Sequence, residues 1–252
     1  MNMTGNTILI TGGGSGIGLA LAEALHTLGN RVIIAGRRKD VLDAARAANP
    51  GMESVQVDLT DASAIQALAV EVSARYPALN VLVNNAGIMK VEKMLESAVA
   101  AAEAMITTNL LAPIRLTAAL LPLLRSQPHA TVMNVSSGLA FVPLAVTPTY
   151  CATKAAIHSY SQSLRHQLKG TSVEVLELAP PYVQTELMGA HQATDPHAMP
   201  LADFIAEVMQ ILTTRPEATE ICVQRVLPLR EAEARGPAAY AAMFQGLNSM
   251  TF

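Results

Sequence analysis

The sequence predicts an α/β fold, built as a doubly wound, mostly parallel seven-stranded sheet with helices on both faces. Short apolar runs alternate with long Ala- and Leu-rich stretches from one end of the chain to the other, which is typical of this fold class. The short runs are continuously hydrophobic, as expected of strands that helices cover on both faces. With 252 residues, the chain is long enough for a large core, and we expect residues 1–252 to form a single domain.

The apolar runs predict seven strands, at residues 7–11, 31–35, 54–58, 80–84, 131–135, 172–178 and 220–223. The stretches between them predict six helices, at about residues 16–29, 39–48, 61–75, 97–125, 148–169 and 201–213. Thr147 and Pro148 favour the start of the fifth helix, as an N-cap followed by a first-turn proline. We expect a lid at residues 187–213, at the sheet edge where such folds bind ligands. The C-terminal extension, residues 224–252, packs either against the sheet edge or on a second subunit.

The composition excludes several functional classes. Hydrophobic residues make up 51% of the chain and charged residues 15%, so disorder is not expected. The net charge of −3 indicates neither a nucleic-acid partner nor binding to an anionic membrane. We find no secretion signal and no apolar run of about 18 residues, so we expect a cytoplasmic protein without a spanning helix. Cys151 and Cys222 are too few for a disulfide framework or a metal site.

A glycine-rich turn follows the first predicted strand. The letters TGGGSGIG, residues 11–18, run directly into the first predicted helix. Glycines let the backbone approach a ligand closely, and the free N–H groups at a helix N-terminus bind a pyrophosphate. This strand–turn–helix therefore predicts a dinucleotide site. Its expected contacts are Gly12, Gly14, Ser15, Gly16, Ile17 and Gly18.

A tyrosine and a lysine stand four residues apart in the fifth predicted helix, as Tyr150 and Lys154. Side chains at this spacing lie on one face of a helix. A free phenol has a pKa of about 10 and is a poor acid–base group at neutral pH. Because a nearby ammonium favours the phenolate, we expect Lys154 to lower the pKa of Tyr150 toward the range of a general acid–base catalyst.

The TGxxxGxG spacing and the YxxxK pair together resemble the short-chain dehydrogenase/reductase family, in its single-domain branch of about 250 residues. The resemblance implies a Rossmann-type catalytic domain that moves hydride between a nicotinamide cofactor and a carbonyl carbon. It implies that Ser137, thirteen residues before Tyr150, polarises the carbonyl oxygen. Tyr150 is then the general acid–base and Lys154 holds the cofactor ribose. Asn109 kinks its helix and anchors a water chain to the lysine, and no metal is expected.

The end of the second strand bears on the choice of cofactor. NAD-preferring members of the family carry an acidic residue there, whereas this chain has Gly36 followed by Arg37 and Arg38. Arginine forks pair well with phosphate oxygens, and Ser15 offers a hydroxyl to the same group. We therefore expect NADP(H), with its 2′-phosphate bound by the two arginines, and NAD(H) is the weaker alternative.

Three further segments match motifs of the family. VDLTD supplies an acid and a main-chain group for the adenine, NNAG lines the cofactor ribose, and LAPPYVQTEL lies beside the nicotinamide carboxamide. The cofactor-binding residues that these matches imply are Asp58, Leu59, Asn85, Ala86, Gly87, Pro180, Val183 and Thr185. One departure is Pro181, which stands where the family has glycine and removes one N–H from the loop.

The residues expected around a substrate are apolar, with Leu139, Tyr182 and Met188 in the pocket wall. This favours uncharged, hydrophobic ketones or secondary alcohols, hence a carbonyl reductase or alcohol dehydrogenase. An epimerase or dehydratase of the family and a non-catalytic NADP-binding regulator are the alternatives. The family layout implies a homodimer or homotetramer. For His191 and His197, a substrate contact and an ordinary surface position both remain open.

Overall fold

A seven-stranded parallel sheet forms the centre of the protein in the computed structural model, which describes residues 1–93 and 99–249. The strands are β1 Thr7–Thr11, β2 Arg31–Gly36, β3 Glu53–Gln56, β4 Leu79–Asn84, β5 Ala130–Val135, β6 Val173–Leu178 and β7 Glu220–Ile221. Their order is β3-β2-β1-β4-β5-β6-β7, and every neighbouring pair is parallel. The strand order reverses between β1 and β4, which confirms the doubly wound topology.

Helices cover both faces of the sheet. Those of the described residues are α1 Gly16–Thr27, α2 Lys39–Ala48, α3 Ala62–Arg75, α4 Val99–Ile106, α5 Ala112–Ser126, α6 Pro148–Gln167, α7 Leu201–Thr214, α8 Leu227–Arg230 and α9 Pro237–Asn248. One hydrophobic core lies between the sheet and α1, α2 and α7, and a second lies between the sheet and α3, α5 and α6. Successive strand residues enter opposite cores, with Ile8 and Ile10 in the first and Leu9 in the second.

The long helix predicted at residues 97–125 consists of several parts. Residues 97 and 98 lie outside the described residues. From residue 99 onward the chain forms α4, a π-helical turn at Thr107–Leu111 and then α5. Asn109 lies in the middle of this π turn. Single π-helical turns inside α-helices occur frequently at functional sites, so this irregularity supports a functional role for Asn109.

The same helical run is long and apolar. By length and composition, the 28 residues Val99–Ser126 are sufficient to cross a membrane, and among the described residues no other helix is. It is not an uninterrupted apolar run, because Glu103, Asn109 and Arg115 lie within it. It is a weak indication of a span, because core helices pass the same test, and α5 buries Leu116, Leu120 and Leu124 in the second core.

The C-terminal extension packs on its own subunit. Val226 is fully buried in the first core. Leu229 lies so close to Gly138 that a Cβ added there would come within 2.8 Å of its side chain. In α9, the Asn248 side chain accepts a hydrogen bond from the N–H of Ala145 at 2.6 Å. Of the two alternatives for this segment, the structure therefore supports packing within the chain.

The predicted lid, residues 187–213, divides into two parts. The first contains a short 3-10 helix at Ala190–Thr194. The second is α7, whose Phe204 and Val208 are fully buried in the first core. Because a helix with two such side chains belongs to the core, α7 is not part of a lid. The candidate lid is therefore limited to residues 187–200.

Candidate active site

Four loops that follow strands meet at the carboxyl edge of the sheet. The glycine turn after β1 is tied to the loop after β4, because Asn85 Nδ2 donates to the carbonyl oxygens of Thr11 at 3.0 Å and of Gly12 at 3.3 Å. The loops after β5 and β6 are joined by a bond from the N–H of Gly138 to the Pro180 carbonyl at 2.8 Å. The parallel sheet thus brings the predicted cofactor and catalytic segments to one place.

The glycine turn has the geometry of an anion site. Gly12 and Gly16 adopt positive φ angles of 65° and 56°, which favour glycine. Ser15 is the N-cap of α1 but makes no side-chain bond to its first turn, which leaves the first N–H groups of the helix to bind an anion. A Cβ added at Gly16 would have Thr185 Cγ2 as its nearest neighbour, at 3.6 Å. The predicted contact residue Thr185 therefore lies at this turn.

The two arginines after β2 are exposed, and Arg38 lies beside the glycine turn. Arg38 Nη2 donates to Ser15 Oγ at 3.0 Å. Arg37 and Asp58 both line a cleft of about 470 Å³. Hydrogen bonds from Thr60 lower the pKa of the Asp58 carboxyl, and the charge of Arg37 contributes to this shift. The structure thus groups the residues predicted for the adenine and 2′-phosphate end of a cofactor.

Tyr150, Lys154 and Ser137 are buried together. Tyr150 is 5% exposed and Lys154 is 4% exposed, and Lys154 Nζ lies 5.6 Å from the centre of the Tyr150 ring. Lys154 Nζ also donates to the Val135 carbonyl at the end of β5, at 2.8 Å. The Ser137 side chain lies near enough to the Tyr150 phenol to lower its pKa, and the Ser137 hydroxyl oxygen accepts from the N–H of Leu139 at 3.1 Å. The three predicted residues therefore form one cluster.

The pKa values of the tyrosine and the lysine depend mainly on burial. Burial raises the pKa of Tyr150 above its ordinary value, and the Ser137 side chain opposes this shift. Burial lowers the pKa of Lys154 to about 8, and the charge of Glu177 opposes it. The prediction that the pKa of Tyr150 is lowered is therefore wrong for the chain by itself, because burial disfavours the charged form of each group.

Asn109 links the loop after β4 to α6. Its Oδ1 accepts from the N–H of Ile88 at 2.9 Å, and its Nδ2 donates to the Ile88 carbonyl at 2.9 Å and to Thr153 Oγ1 at 3.2 Å. A Cβ added at Gly87 would lie 3.4 Å from Asn109 Oδ1 and 3.7 Å from Lys154 Nζ. The asparagine is thus adjacent to the lysine, as the sequence predicts, with Gly87 leaving room between them.

A residue that the sequence pattern did not indicate caps α6. The helix begins at Pro148 after Thr147, as predicted. The Thr147 hydroxyl does not cap it and instead donates to the Leu144 carbonyl at 3.3 Å. The cap is the carboxylate of buried Glu92, which accepts from the N–H of Thr149 at 2.8 Å and from its hydroxyl at 2.7 Å. Glu92 thereby fixes the first turn of the helix that carries Tyr150.

The segment predicted to lie beside the nicotinamide is held by the candidate lid. Val183 pairs with Met199 in a parallel bridge, and its carbonyl accepts from Nε2 of buried Gln192 at 2.7 Å. The Tyr182 hydroxyl donates to Asp195 at 3.0 Å. Burial and this carboxylate raise the pKa of Tyr182 to about 12. The hydroxyl of this predicted wall residue therefore binds the lid.

An apolar cluster surrounds Tyr150. The members of this Tyr150 cluster are buried Met89, Met105, Leu144, Tyr150 and Cys151, with partly buried Ile88, Leu139, Met188 and Leu247 packed against them. Two of the three predicted wall residues, Leu139 and Met188, are present, and Tyr182 is not. Leu247 of α9 is a member that the sequence did not indicate, because nothing local shows where a C-terminal helix packs.

Three side chains that are able to bind a metal lie close together next to Ser136. Ligand atoms of His158, Glu177 and Glu220 lie within 4.8 Å of one another. Glu177 accepts from the Ser136 hydroxyl at 2.5 Å and contacts His158 Nδ1 at 2.8 Å. Arg230 Nε donates to Glu220 at 2.6 Å. Because each of these groups is already hydrogen-bonded within the protein, the geometry is that of a charge network.

The two histidines of the candidate lid are at the surface. His191 and His197 are both exposed. The Nδ1 atom of His197 lies 3.1 Å from a carboxylate oxygen of Asp195, the residue that also binds Tyr182. Of the two alternatives for these histidines, the structure therefore supports a surface position.

The order of these motifs agrees with a known family over most of the chain. The sequence profile described as short chain dehydrogenase matches residues 6–196. The chain belongs to the short-chain dehydrogenase/reductase family. One curated relative is the uncharacterized oxidoreductase DltE of Bacillus subtilis, which is 45% identical over 255 residues, with 99% of both chains covered. Family membership makes the protein an oxidoreductase.

Solved structures of the family are similar throughout. A short-chain dehydrogenase from Burkholderia cenocepacia in complex with NADP has a TM-score of 0.81 at 26% identity, with 100% of both chains covered. A family member from Burkholderia phymatum in complex with NAD has a TM-score of 0.81 at 21% identity, covering 93% of this chain and 95% of that one. Each of these two proteins binds a nicotinamide dinucleotide, and the uncapped helix N-terminus and glycine turn of this chain have the geometry to bind the pyrophosphate of such a molecule.

Proposed function

We propose that the protein is an NADP(H)-dependent carbonyl reductase or secondary alcohol dehydrogenase. The observation that carries the proposal is the joint burial of Tyr150, Lys154 and Ser137 at the edge that holds the glycine turn. Because the pKa of Tyr150 is raised, its phenol is protonated at neutral pH, which is the form that donates a proton to a carbonyl oxygen. A non-catalytic regulator would have no need of this arrangement.

In the proposed reduction, Ser137 and Tyr150 hydrogen-bond the carbonyl oxygen of the substrate. The bound cofactor supplies the hydride. The Tyr150 hydroxyl transfers its proton to that oxygen as negative charge develops there. Lys154, which is charged below about pH 8, stabilises the phenolate that remains. Asn109 holds Ile88 and Thr153 around the lysine, and alcohol oxidation reverses these steps.

The test of this function is a substrate panel. NADPH oxidation is followed with uncharged aliphatic and aromatic ketones of increasing size, with NADH in parallel. Keto acids of matched size serve as the control for charge. We expect NADPH-dependent turnover of the uncharged ketones, because apolar side chains surround Tyr150. Turnover of none of these compounds, or of the keto acids alone, would contradict the proposal.

The preference for NADP(H) is supported by the end of β2. Gly36 has no carboxylate to bind the ribose 2′-hydroxyl, and Arg37 and Arg38 follow it at the surface. Arg38 already donates to Ser15 Oγ at the glycine turn. One guanidinium group at the turn and a second beside Asp58 provide positive charge and donors for a 2′-phosphate.

Arg37→Ala is expected to raise KM for NADPH by about tenfold or more, because a hydrogen bond to a charged group is lost. KM for NADH, which has no 2′-phosphate, should change little. The measurement is steady-state kinetics with each cofactor at a fixed ketone concentration. Lys39→Ala is the matched control, since Lys39 is an exposed cation two residues away that pairs with Asp43 at 2.5 Å. Equal effects of Arg37→Ala on both cofactors would count against the 2′-phosphate role.

The substrate class follows from the Tyr150 cluster. It contains three methionines, Met89, Met105 and Met188, whose flexible side chains adapt to irregular apolar shapes. Leu247 brings α9 to the same cluster. A pocket next to these side chains favours hydrophobic, uncharged ketones and alcohols.

Leu247→Glu is expected to lower kcat/KM for hydrophobic ketones by about tenfold or more, because it places a carboxylate beside an apolar site. NADPH affinity should not change, since the glycine turn is untouched. The control is Gln245→Glu, which adds the same charge at an exposed position of α9. A decrease of the same size in both variants would mean that Leu247 has no contact with the substrate region.

A further inference from the structure

A fully buried carboxylate binds Ser136, the residue before the catalytic Ser137, and takes no part in the proposed reduction. Glu177, on β6, is 0% exposed. Its Oε1 accepts from the Ser136 hydroxyl at 2.5 Å, and its Oε2 lies 2.8 Å from His158 Nδ1. Ser136 directly precedes Ser137, and His158 lies one turn after Lys154 in α6. The carboxylate therefore contacts both segments that carry the reaction.

The groups that face Glu177 come from β5, α6, β7 and the C-terminal extension. They are Ser136, Lys154, His158, Glu220, Cys222 and Arg230. Arg230 is engaged by Glu220, with bonds of 2.6 and 3.3 Å to its two carboxylate oxygens. His158 Nε2 lies 3.1 Å from the Gln162 amide nitrogen. The His158 ring thus lies between Glu177 and Gln162.

Lys154 and Glu177 are buried and bind adjacent residues at the end of β5, the lysine at the Val135 carbonyl and the carboxylate at the Ser136 hydroxyl. The Lys154 ammonium is 4% exposed, and its bond to the Val135 carbonyl, at 2.8 Å, is to a neutral group. Ser136 and His158 orient the Glu177 carboxylate. A buried ion is costly unless another charge compensates it, and the charge of Glu177 favours the protonated form of Lys154.

We propose that Glu177 is a positioning residue for the reductase reaction, and that its carboxylate, fixed by Ser136 and His158, is the counter-charge that keeps Lys154 protonated beside Tyr150. The inference rests on the proposed function, because Lys154 and Tyr150 are the groups it serves. Glu177 touches neither substrate nor cofactor. It acts through the lysine and through the turn that carries Ser137.

The charge of Glu177 raises the pKa of Lys154. Burial lowers the pKa of Lys154 to about 8, and the Glu177 charge opposes that shift. Loss of the carboxylate charge therefore lowers the pKa of Lys154 further. Since the neutral amine does not stabilise a phenolate, the alkaline limb of the kcat/KM profile then moves to lower pH.

The direct experiment measures the titration of Lys154 in the cofactor-free protein by 13C NMR of the lysine Cε groups. The chain has five lysines, and Lys154→Met identifies the signal. Glu177→Gln is expected to move the midpoint of the Lys154 titration to lower pH by about one pH unit or more. Glu220→Gln also removes a charge from this network, but Arg230 balances that charge. The midpoint of the Lys154 titration should therefore stay in place in Glu220→Gln. An unchanged midpoint in Glu177→Gln, or an equal shift in both variants, overturns the proposal.

A second measurement applies if Glu177→Gln does not fold. If the two charges compensate each other, Glu177→Gln combined with Lys154→Met leaves neither ion alone in the interior. We expect the double variant to fold, with a higher melting temperature than Glu177→Gln. A double variant that is as unstable as Glu177→Gln would overturn the pairing.

The kinetic readout separates this inference from the proposed function. The NMR midpoint is measured without substrate or cofactor, so a shift supports the pairing even if no ketone is reduced. If ketones are reduced, the alkaline limb of the kcat/KM profile should follow the midpoint in Glu177→Gln and remain in place in Glu220→Gln. A limb that stays in place in Glu177→Gln while the midpoint moves would overturn the positioning role.

Discussion

Tyr150→Phe is expected to lower kcat for ketone reduction by about 10²- to 10⁴-fold, the usual contribution of a general acid. The phenyl ring occupies the same buried space among Met105, Leu144 and Cys151, so the fold should be retained. The oxygen lost is the one that lies near Ser137 and that donates the proton in the proposed mechanism. The measurements are the rate of NADPH oxidation at saturating ketone and the Kd for NADPH by fluorescence titration, which should stay within about twofold.

Tyr160→Phe is the matched control for this variant. Tyr160 lies on the same helix but packs against the second core, away from the Tyr150 cluster, so its hydroxyl should be dispensable for turnover. Retained turnover in Tyr150→Phe would remove the phenol from the mechanism. A parallel loss in Tyr160→Phe would instead attribute the effect to the helix as a whole.

The fold could be predicted because the sequence patterns that indicate it lie within short segments of the chain. A strand such as β1 is buried along its whole length, so its continuous apolar run already shows that both of its faces are covered. The glycine turn and the tyrosine–lysine pair are also local, and parallel strands bring such segments to one edge without further information. The structure accordingly joins Ser137, Tyr150 and Lys154, as the sequence predicts.

The residues that support the site were not predictable, because their contacts are distant in sequence. Glu92 caps α6 from 57 residues away, and Glu177 binds Ser136 across 41 residues. Asn248 reaches Ala145 across 103 residues. The residues before and after the π turn are similarly rich in Ala and Leu taken together, so the sequence predicts one continuous helix there.

The direction of the Tyr150 pKa was missed for a related reason. The sequence shows that a lysine stands four residues away, but it does not show how deeply both groups are buried. In the structure, burial raises the pKa of Tyr150 and lowers that of Lys154. The raised pKa keeps the phenol protonated, which is the form that ketone reduction needs, but it also makes the phenol a weaker acid, so the charge of Lys154 has to stabilise the phenolate that forms.

Gly18→Ala is expected to reduce both stability and cofactor affinity. A Cβ at this position would lie 2.3 Å from Asn85 Nδ2 and 2.4 Å from the carbonyl oxygen of Gly12, and the second of these is backbone in the glycine turn. Overpacking of this kind costs about 3 kcal/mol, which for a chain of this length lowers the melting temperature by about 6 to 12 °C. The measurements are thermal unfolding and NADPH titration.

The loss of affinity should exceed what reduced folding explains, because the displaced atoms belong to the turn that binds the pyrophosphate. We expect the Kd for NADPH of the folded Gly18→Ala protein to rise by about tenfold or more, measured well below its melting temperature. Gly246→Ala is the control, since a Cβ there would have no neighbour within 4 Å and the substitution favours a helix. An unchanged Kd in Gly18→Ala would mean that the turn adapts to the methyl group, and that close packing against Asn85 does not set the geometry of the anion site.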